Sequence, residues 1–374
     1  MQTPYYYYNL DILEQTLQAI KAEADKSESI CVHYAIKANA NPLLLPLIRE
    51  YGLGIDCVSG GEIRAALNAG FDPSKIVFAG VGKADWEIDL ALSQSISCFN
   101  VESEAELDVI AERAAKAGRI AHIAFRVNPN IDAHTHANIT TGLSENKFGI
   151  EIPMLEDIIC KANKMENITF EGIHFHIGSQ ILTNEPFEQL CDVVNSLQDK
   201  LEAKGIQLNV INVGGGLGID YEEPEKHTIP DFASYFSIFR NRIKLRKGQQ
   251  LHFELGRSVV AGCGQLITKV LYVKKGTTKN FAIVDAGMTD LIRPALYGAY
   301  HKVVNLSSKG KEQKYDVVGP ICESSDVFVK DVVLPETKRG DYLAILSAGA
   351  YGEVMASQYN LRSLPETSNK LNIE

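Results

Sequence analysis

Four short stretches of the chain carry groups whose types and spacing could do chemistry together. In "CVHYAIKANANP", Lys37 follows an apolar run, where it is either a solvated charge at an element's end or an amine held in a pocket. "GIHFHIGSQ" sets His174 and His176 two residues apart on one strand face, with Ser179 behind them. "NVGGGLGIDY" contains Gly214, Gly215 and Gly216, whose backbone N–H groups can approach an anion closely. It fails the dinucleotide fingerprint, because Ile219 stands where the third glycine should be. "HFELGR" supplies Glu254, Gly256 and Arg257. Taken singly, these are a strand-end cap, a tight turn and a rim salt bridge between Glu254 and Arg257. Taken together, an amine, a phosphate-binding turn, an imidazole to stack on a ring and a carboxylate to keep a pyridine nitrogen protonated describe a pyridoxal phosphate site.

The elements that would position them repeat along the chain. The runs "VHYAIK" (32–37), "GIDCVS" (54–59), "KIVFAG" (75–80), "SISCFN" (95–100), "HIAFRVN" (122–128), "EGIHFHIG" (171–178), "NVINVGG" (209–215) and "LHFELG" (251–256) alternate with helical patterns. One such helix opens at Ser103 with Glu106 three residues on, a capping pattern. Eight strands with intervening helices is the count of a (β/α)8 TIM barrel, with an open doubly wound sheet as the competing arrangement. Barrel sites lie at the C-terminal strand ends. Those ends carry Lys37, Asp56 with Ser59, Asn100, Arg126, His176 with Ser179, Gly214 to Gly216, and Glu254 with Arg257. After Arg257 the texture becomes β-rich with almost no helical pattern, which predicts a mostly antiparallel β-sandwich or barrel. The strand in "TPYYYYNL" is expected to join it, giving a barrel over 25–257 and a discontinuous β domain of 1–24 with 258–374.

Composition narrows the class. A formal net charge of −10 over 374 residues, with no basic cluster, argues against nucleic acid as the partner. No apolar run reaches membrane-spanning length, and "MQTPYYYYNLDILEQ" does not read as a signal peptide. Seven scattered cysteines without a C-x-x-C pair fit a reducing cytoplasm better than a disulfide framework or structural zinc. Catalytic metal would need His174 and His176 joined by further ligands, which "DAHTHAN" could supply as His134 and His136, but that stretch reads as a loop.

The motifs "YAIKANANP", "GIDCVSGGE", "TGLSENKFGI", "GIHFHIGSQ", "NVGGGLGIDY", "ELGRSVV", "DAGMTDLIRPALYGAYH", "CESSD" and "AGAYGEVMASQYN" run nearly end to end in one order. With them the chain resembles the fold-type III, alanine-racemase-like pyridoxal-phosphate decarboxylases, and within these the branch acting on meso-diaminopimelate. The resemblance implies a TIM barrel with a β domain, an obligate homodimer and a cytoplasmic role in lysine biosynthesis. It implies that Lys37 binds the cofactor covalently, that His176 stacks on its ring, and that Glu254 meets the pyridine nitrogen. Ser179, Gly214, Gly215 and Gly216 would hold the phosphate with help from Tyr351, and Asp56, Arg126, Gly256 and Arg257 would complete the cofactor surroundings. Arg257, Arg293, Tyr297, Glu323 and Tyr351 match positions that hold the distal end of the substrate. Cys322 matches a cysteine that arrives from the second subunit, where a thiol can donate a proton. Two departures stand out: Leu255 replaces a usual proline, and the chain stops soon after "SQYNLRSLPE", where many relatives continue with another strand.

What the resemblance implies is loss of the substrate's α-carboxylate as carbon dioxide, with Cys322 or Lys37 returning the proton. A racemase of the same fold would place an arginine at the ring nitrogen, which leaves the ring a weaker electron sink, where strand eight here offers Glu254. Decarboxylases of ornithine, lysine or a carboxylated polyamine precursor remain alternatives. Against them, Arg293 and the run Cys322-Glu323-Ser324 favour a substrate whose far end has both a carboxylate and an amine. A pyridoxal-phosphate carrier protein and a metal-dependent hydrolase are the other classes; a carrier would tend to be a lone barrel.

Overall fold

The computed structural model describes residues 2–131 and 147–373, which group into two compact units. One comprises Leu17–Gly218 and Asp231–Gly256; the other comprises Met1–Thr16, Ile219–Pro230 and Arg257–Glu374. The segment Ile219–Pro230, inside the range expected for the barrel, therefore groups with the β-rich unit. The motif "TGLSENKFGI" lies partly, and His134 and His136 wholly, outside the described residues. Among the described residues no helix is long and apolar enough to cross a membrane.

In chain order the elements begin with β1 (Tyr5–Tyr8) and α1 (Leu10–Ala24), and the barrel strands follow. They are β2 (Ile30–Ala35), β3 (Gly54–Cys57), β4 (Ile76–Phe78), β5 (Cys98–Val101), β6 (Ala121–Asn128), the short β7 (Ile150–Glu151), β8 (Ile168–His174), β9 (Val210–Asn212) and β10 (Gln250–Leu255). Apart from β7, which pairs only with β6, they form a closed parallel ring. Pairing of β5 with β6, Phe99 opposite Ile123, closes it and removes the open doubly wound sheet. The helices are α2 (Leu45–Glu50), α3 (Gly60–Asn68), α4 (Asp85–Gln94), α5 (Glu104–Ala117), α6 (Ile152–Ala162), α7 (Glu185–Glu202) and α8 (Phe232–Arg242). Ser103 caps α5, accepting from the Glu106 amide at 3.1 Å.

The pleat decides which side chains face inward. Phe253 packs outward against Tyr235, Phe236 and Phe239, with centroids 5.8, 4.7 and 5.2 Å away. Alternation along β10 then sends His252 and Glu254 to the opposite face, into the ring. Each fully buried aromatic of this layer stabilises by about 1.5–3 kcal/mol, so a one-residue slip of β10 would exchange that packing for a buried carboxylate on the apolar side.

The second unit contains α9 (Arg257–Val260), β11 (Gly264–Lys275), β12 (Asn280–Val284), α10 (Arg293–Tyr297), β13 (Val303–Asn305), β14 (Glu312–Val318), β15 (Val327–Pro335), β16 (Tyr342–Ile345) and β17 (Glu366–Ser368). Its sheet runs β13-β16-β11-β12-β14-β15, and β1 pairs antiparallel with β11, Tyr5 opposite Ile267. Most pairings are antiparallel, but β12 with β14 and β1 with β17 are parallel, so the sheet is mixed. Strand β17 begins at Glu366, the last residue of "SQYNLRSLPE", and extends the sheet beyond β1.

Candidate active site

Lys37 does not end its strand, as the sequence suggested. Strand β2 stops at Ala35, and Lys37 sits in a following 3-10 turn, Ile36–Ala38, flanked by two fully buried residues. The next residues explain its fixed position. Tyr34 Oη donates to the Asn39 carbonyl (2.8 Å), Asn39 Oδ1 accepts from the Asn41 amide (2.9 Å), and Asn41 Oδ1 accepts from the Leu43 amide (2.8 Å). The "KANANP" asparagines thus replace regular structure with local side-chain turns. Lys37 is partly exposed, and its charge bears on Asp56, Glu62 and His176.

Glu254 is fully inside the ring and held by three side-chain donors. His174 meets Oε2 at 2.9 Å, while Asn212 and Asn100 donate to Oε1 at 2.7 and 3.1 Å. Burial alone would raise its pKa, but the His174 contact and the Asn212 hydrogen bond outweigh it and hold the carboxyl well below the usual range. Glu254 is therefore ionised at neutral pH. Asp56 lies in the same ring with one carboxylate oxygen buried and lacking a hydrogen-bond partner. Burial, then the charge of Glu254, pushes Asp56 well above the ordinary range against the pull of Lys37 and Arg126. Arg126 is paired with Glu102 (2.9 Å) and lies 4.6 Å over the Phe148 ring. Ser59, another expected rim residue, is the N-cap of α3.

Strand β8 ends at His174, so His176 belongs to the loop beyond it and does not share a strand with His174. It packs on the glycine turn, with the Gly215 amide 3.5 Å from its Nδ1. Burial, reinforced by Lys37 and Arg126, pushes its imidazole well below the ordinary range and keeps it neutral. The glycines are sterically required. Gly214 has φ +69°, and a Cβ there would lie 2.2 Å from the Phe175 carbonyl oxygen; one on Gly215 would lie 2.0 Å from that of Glu254. The loops after β8 and β9 are zipped together, Ile181 N to Gly216 O at 2.9 Å and Gly218 N to Ile181 O at 3.0 Å, and the carbonyl of Gly178, the residue before Ser179, borders Gly216. A cavity of about 680 Å³ opens at the opposite, N-terminal mouth of the barrel and reaches Asn100 and Asn212. Barrel chemistry is built at the other mouth.

In the second unit, Arg257 and Arg293 share two tyrosine rings. Their guanidinium carbons lie 5.9 and 5.9 Å from the Tyr221 centroid and 5.0 and 5.9 Å from that of Tyr351, and Tyr297 is 5.7 Å from Arg293. Arg257 Nη1 donates to Tyr221 Oη at 2.6 Å. Tyr351 takes a left-handed φ of 56°, a strained backbone for a bulky residue and a mark of functional sites. Burial lowers Arg293, and no carboxylate pairs with it among the described residues. A buried cation without a counter-charge carries a desolvation cost that an approaching anion would relieve. Cys322 and Glu323 lie elsewhere in this unit, on an exposed turn. The Cys322 amide meets Asn360 Oδ1 at 3.5 Å, and Glu323 accepts from Tyr359 Oη (2.7 Å) and Ser325 Oγ (3.1 Å). Gly256 closes the barrel unit directly before Arg257.

The sequence profile of the family described as "Pyridoxal-dependent decarboxylase, pyridoxal binding domain" matches residues 10–261. A diaminopimelate decarboxylase of Bacteroides thetaiotaomicron is 62% identical over 373 residues, spanning 99% of this chain and 97% of its own. The chain belongs to the diaminopimelate decarboxylase family. The Helicobacter pylori diaminopimelate decarboxylase, solved in complex with L-lysine, superposes with a TM-score of 0.91 at 44% identity, covering 96% of this chain and 89% of that one. The Selenomonas ruminantium lysine decarboxylase, at 24% identity and a TM-score of 0.85, shares the fold. For a diaminopimelate decarboxylase, the barrel residues fit the family's cofactor: an amine, a glycine turn with no room for a Cβ, a partnerless buried oxygen on Asp56 and an ionised Glu254.

Proposed function

We propose that this chain decarboxylates meso-2,6-diaminopimelate to L-lysine and carbon dioxide, the lysine-forming step of biosynthesis, using pyridoxal 5'-phosphate. The observation that carries the reading is the ionised Glu254 held by His174, Asn100 and Asn212. When bound, the cofactor supplies an electron sink for the carbanion left by departing carbon dioxide. Lys37 would hold it covalently, the His176 ring would lie against it, and Ser179 with Gly215 and Gly216 would take its phosphate. Glu254 favours a protonated ring nitrogen, which separates this site from a racemase with arginine there. Asp56 and Arg126 add a buried carboxyl and a fixed cation to the same ring. Arg257, Arg293, Tyr297 and Tyr351 would bind the amino-acid end that does not react.

Cys322 and Glu323 are exposed in the single chain, which supports their being supplied across a homodimer, with the Cys322 thiol returning a proton to the reacting carbon and Lys37 as the other candidate donor. A cytoplasmic location fits the free thiols. The deciding assay supplies the cofactor-loaded protein with meso-diaminopimelate. Equal amounts of carbon dioxide and L-lysine are expected, and release of neither, or interconversion of stereoisomers alone, would overturn the reading.

A further inference from the structure

Arg293 is held in a way that its role as an anion receptor does not by itself require. It opens α10, is 6% exposed, and its Nε donates to Nε2 of His301 at 3.3 Å. The other ring nitrogen of His301, Nδ1, lies 3.0 Å from the Leu346 carbonyl oxygen. A carbonyl only accepts, so Nδ1 carries the proton; Nε2 receives the arginine N–H and must present a lone pair. Both contacts are satisfied by one tautomer of the neutral ring. His301 is 0% exposed, and the Tyr221 ring meets it edge-on at 5.0 Å and 74°. Burial, then the charges of Arg293 and Arg257, push its pKa down to about 3, which agrees with the tautomer the contacts demand.

The choice of a neutral acceptor matters electrostatically. An aspartate or glutamate in this place would also orient the guanidinium, but it would cancel the charge that an incoming carboxylate must find. A neutral imidazole fixes the orientation and leaves the charge. We propose that His301 is a positioning residue that holds Arg293 as an open receptor for the carboxylate at the non-reacting end of the substrate, and thereby sets the preference for ligands carrying that group. The proposal rests on the diaminopimelate reading above. Decarboxylation leaves one amino-acid end intact, so L-lysine still presents the recognised carboxylate, whereas cadaverine has the same two amines and none.

Two variants separate the contacts. His301→Asn keeps a donor near the position of Nδ1 but removes the acceptor for Arg293; His301→Gln keeps an acceptor near Nε2 and loses the anchor to Leu346. In the cofactor-loaded enzyme, His301→Asn is expected to raise KM for meso-diaminopimelate about tenfold with kcat within about twofold, as loss of a hydrogen bond to a charged group predicts. Inhibition by L-lysine should weaken about as much and inhibition by cadaverine should not, while His301→Gln restores KM to within about threefold. An unchanged KM in His301→Asn, or equal weakening for cadaverine, would overturn the role of His301. Nitrogen-15 NMR of the wild-type holoenzyme gives a test independent of variant folding: a neutral His301 protonated on Nδ1 is expected at pH 7, and an imidazolium or the opposite tautomer would overturn it. If the wild type fails to turn over diaminopimelate, the substrate assignment itself falls. Wild-type turnover with an indifferent His301→Asn removes this inference alone.

Discussion

Within the barrel, Glu254 takes three side-chain donors and Arg126 an ion pair with Glu102, while in the second unit Arg293 is met by tyrosine rings and a neutral imidazole. The first arrangement fixes each charge before any ligand arrives. Such preorganisation suits a group that stays bound and whose electronic state must not drift. The second keeps a buried cation in place at an electrostatic cost that an incoming anion relieves, which suits a ligand that comes and goes. Under the proposed function, permanent chemistry falls to one unit and turnover-linked recognition to the other.

Three substitutions probe that division, beginning with the most severe. Lys37→Ala should abolish both the visible absorbance of bound cofactor and turnover, with a loss on the order of 10³-fold or more, as removal of a covalent catalytic group does. A coloured, active variant would break the assignment of the barrel. Glu254→Gln should retain cofactor but lower kcat by roughly 10²-fold, the scale of losing a preorganised charge in a dry site. Stopped-flow and steady-state rates would show whether the defect lies in kcat; a defect confined to KM would place Glu254 in substrate binding instead. Arg293→Ala should act the other way, raising KM for diaminopimelate by about 10–100-fold, the range for one charge-assisted hydrogen-bonded partner. Its effect on ornithine should be far smaller, and equal effects on both would erase the distinction between the units.

Much of the barrel was legible because its signals are local. Eight alternating runs, a serine cap at Ser103 and a run of consecutive glycines each follow from a few neighbouring residues, whereas the carbonyls that leave those glycines no room for a Cβ come from Phe175 and Glu254, far away in the chain. Lys37, Glu254 and the glycine turn could be placed on one rim by strand order alone. The partners of Glu254 could not, because they lie 154, 80 and 42 residues away, and only the closed register brings Asn100, His174 and Asn212 to one carboxylate. Tyr221 and His301 stood inside the motifs "NVGGGLGIDY" and "DAGMTDLIRPALYGAYH" without a visible task. Tyr221 belongs to a segment that groups with the β unit though it precedes the last barrel strand, which no local pattern announces. The position of Lys37 was misplaced for a related reason: a 3-10 turn supported by asparagine side chains looks, residue by residue, like the end of a strand.

One feature is common to both units, and it carries the smallest predicted effect. His252 in the barrel and His301 in the second unit are both pushed down to about 3 from an ordinary 6.5, in each case first by burial, with His33 adding to the effect on His252 and Arg293 and Arg257 to that on His301. Between these values the unfolded chain binds a proton that the folded ring does not, so stability is complete above about pH 6.5 and falls as pH drops towards 3. Each histidine contributes a slope of about 1.4 kcal/mol per pH unit, hence roughly 2 kcal/mol lost at pH 5. Urea denaturation at pH 7.5, 6 and 5 should show this acid limb, and His252→Gln and His301→Gln should each flatten it by about that amount. An acid limb left unchanged by His301→Gln would mean that the folded ring takes up its proton as readily as the unfolded chain does and is an imidazolium at pH 5. Arg293 would then face a second cation where it now has an acceptor, and the contrast between a neutral cradle and a counter-charged one would no longer hold.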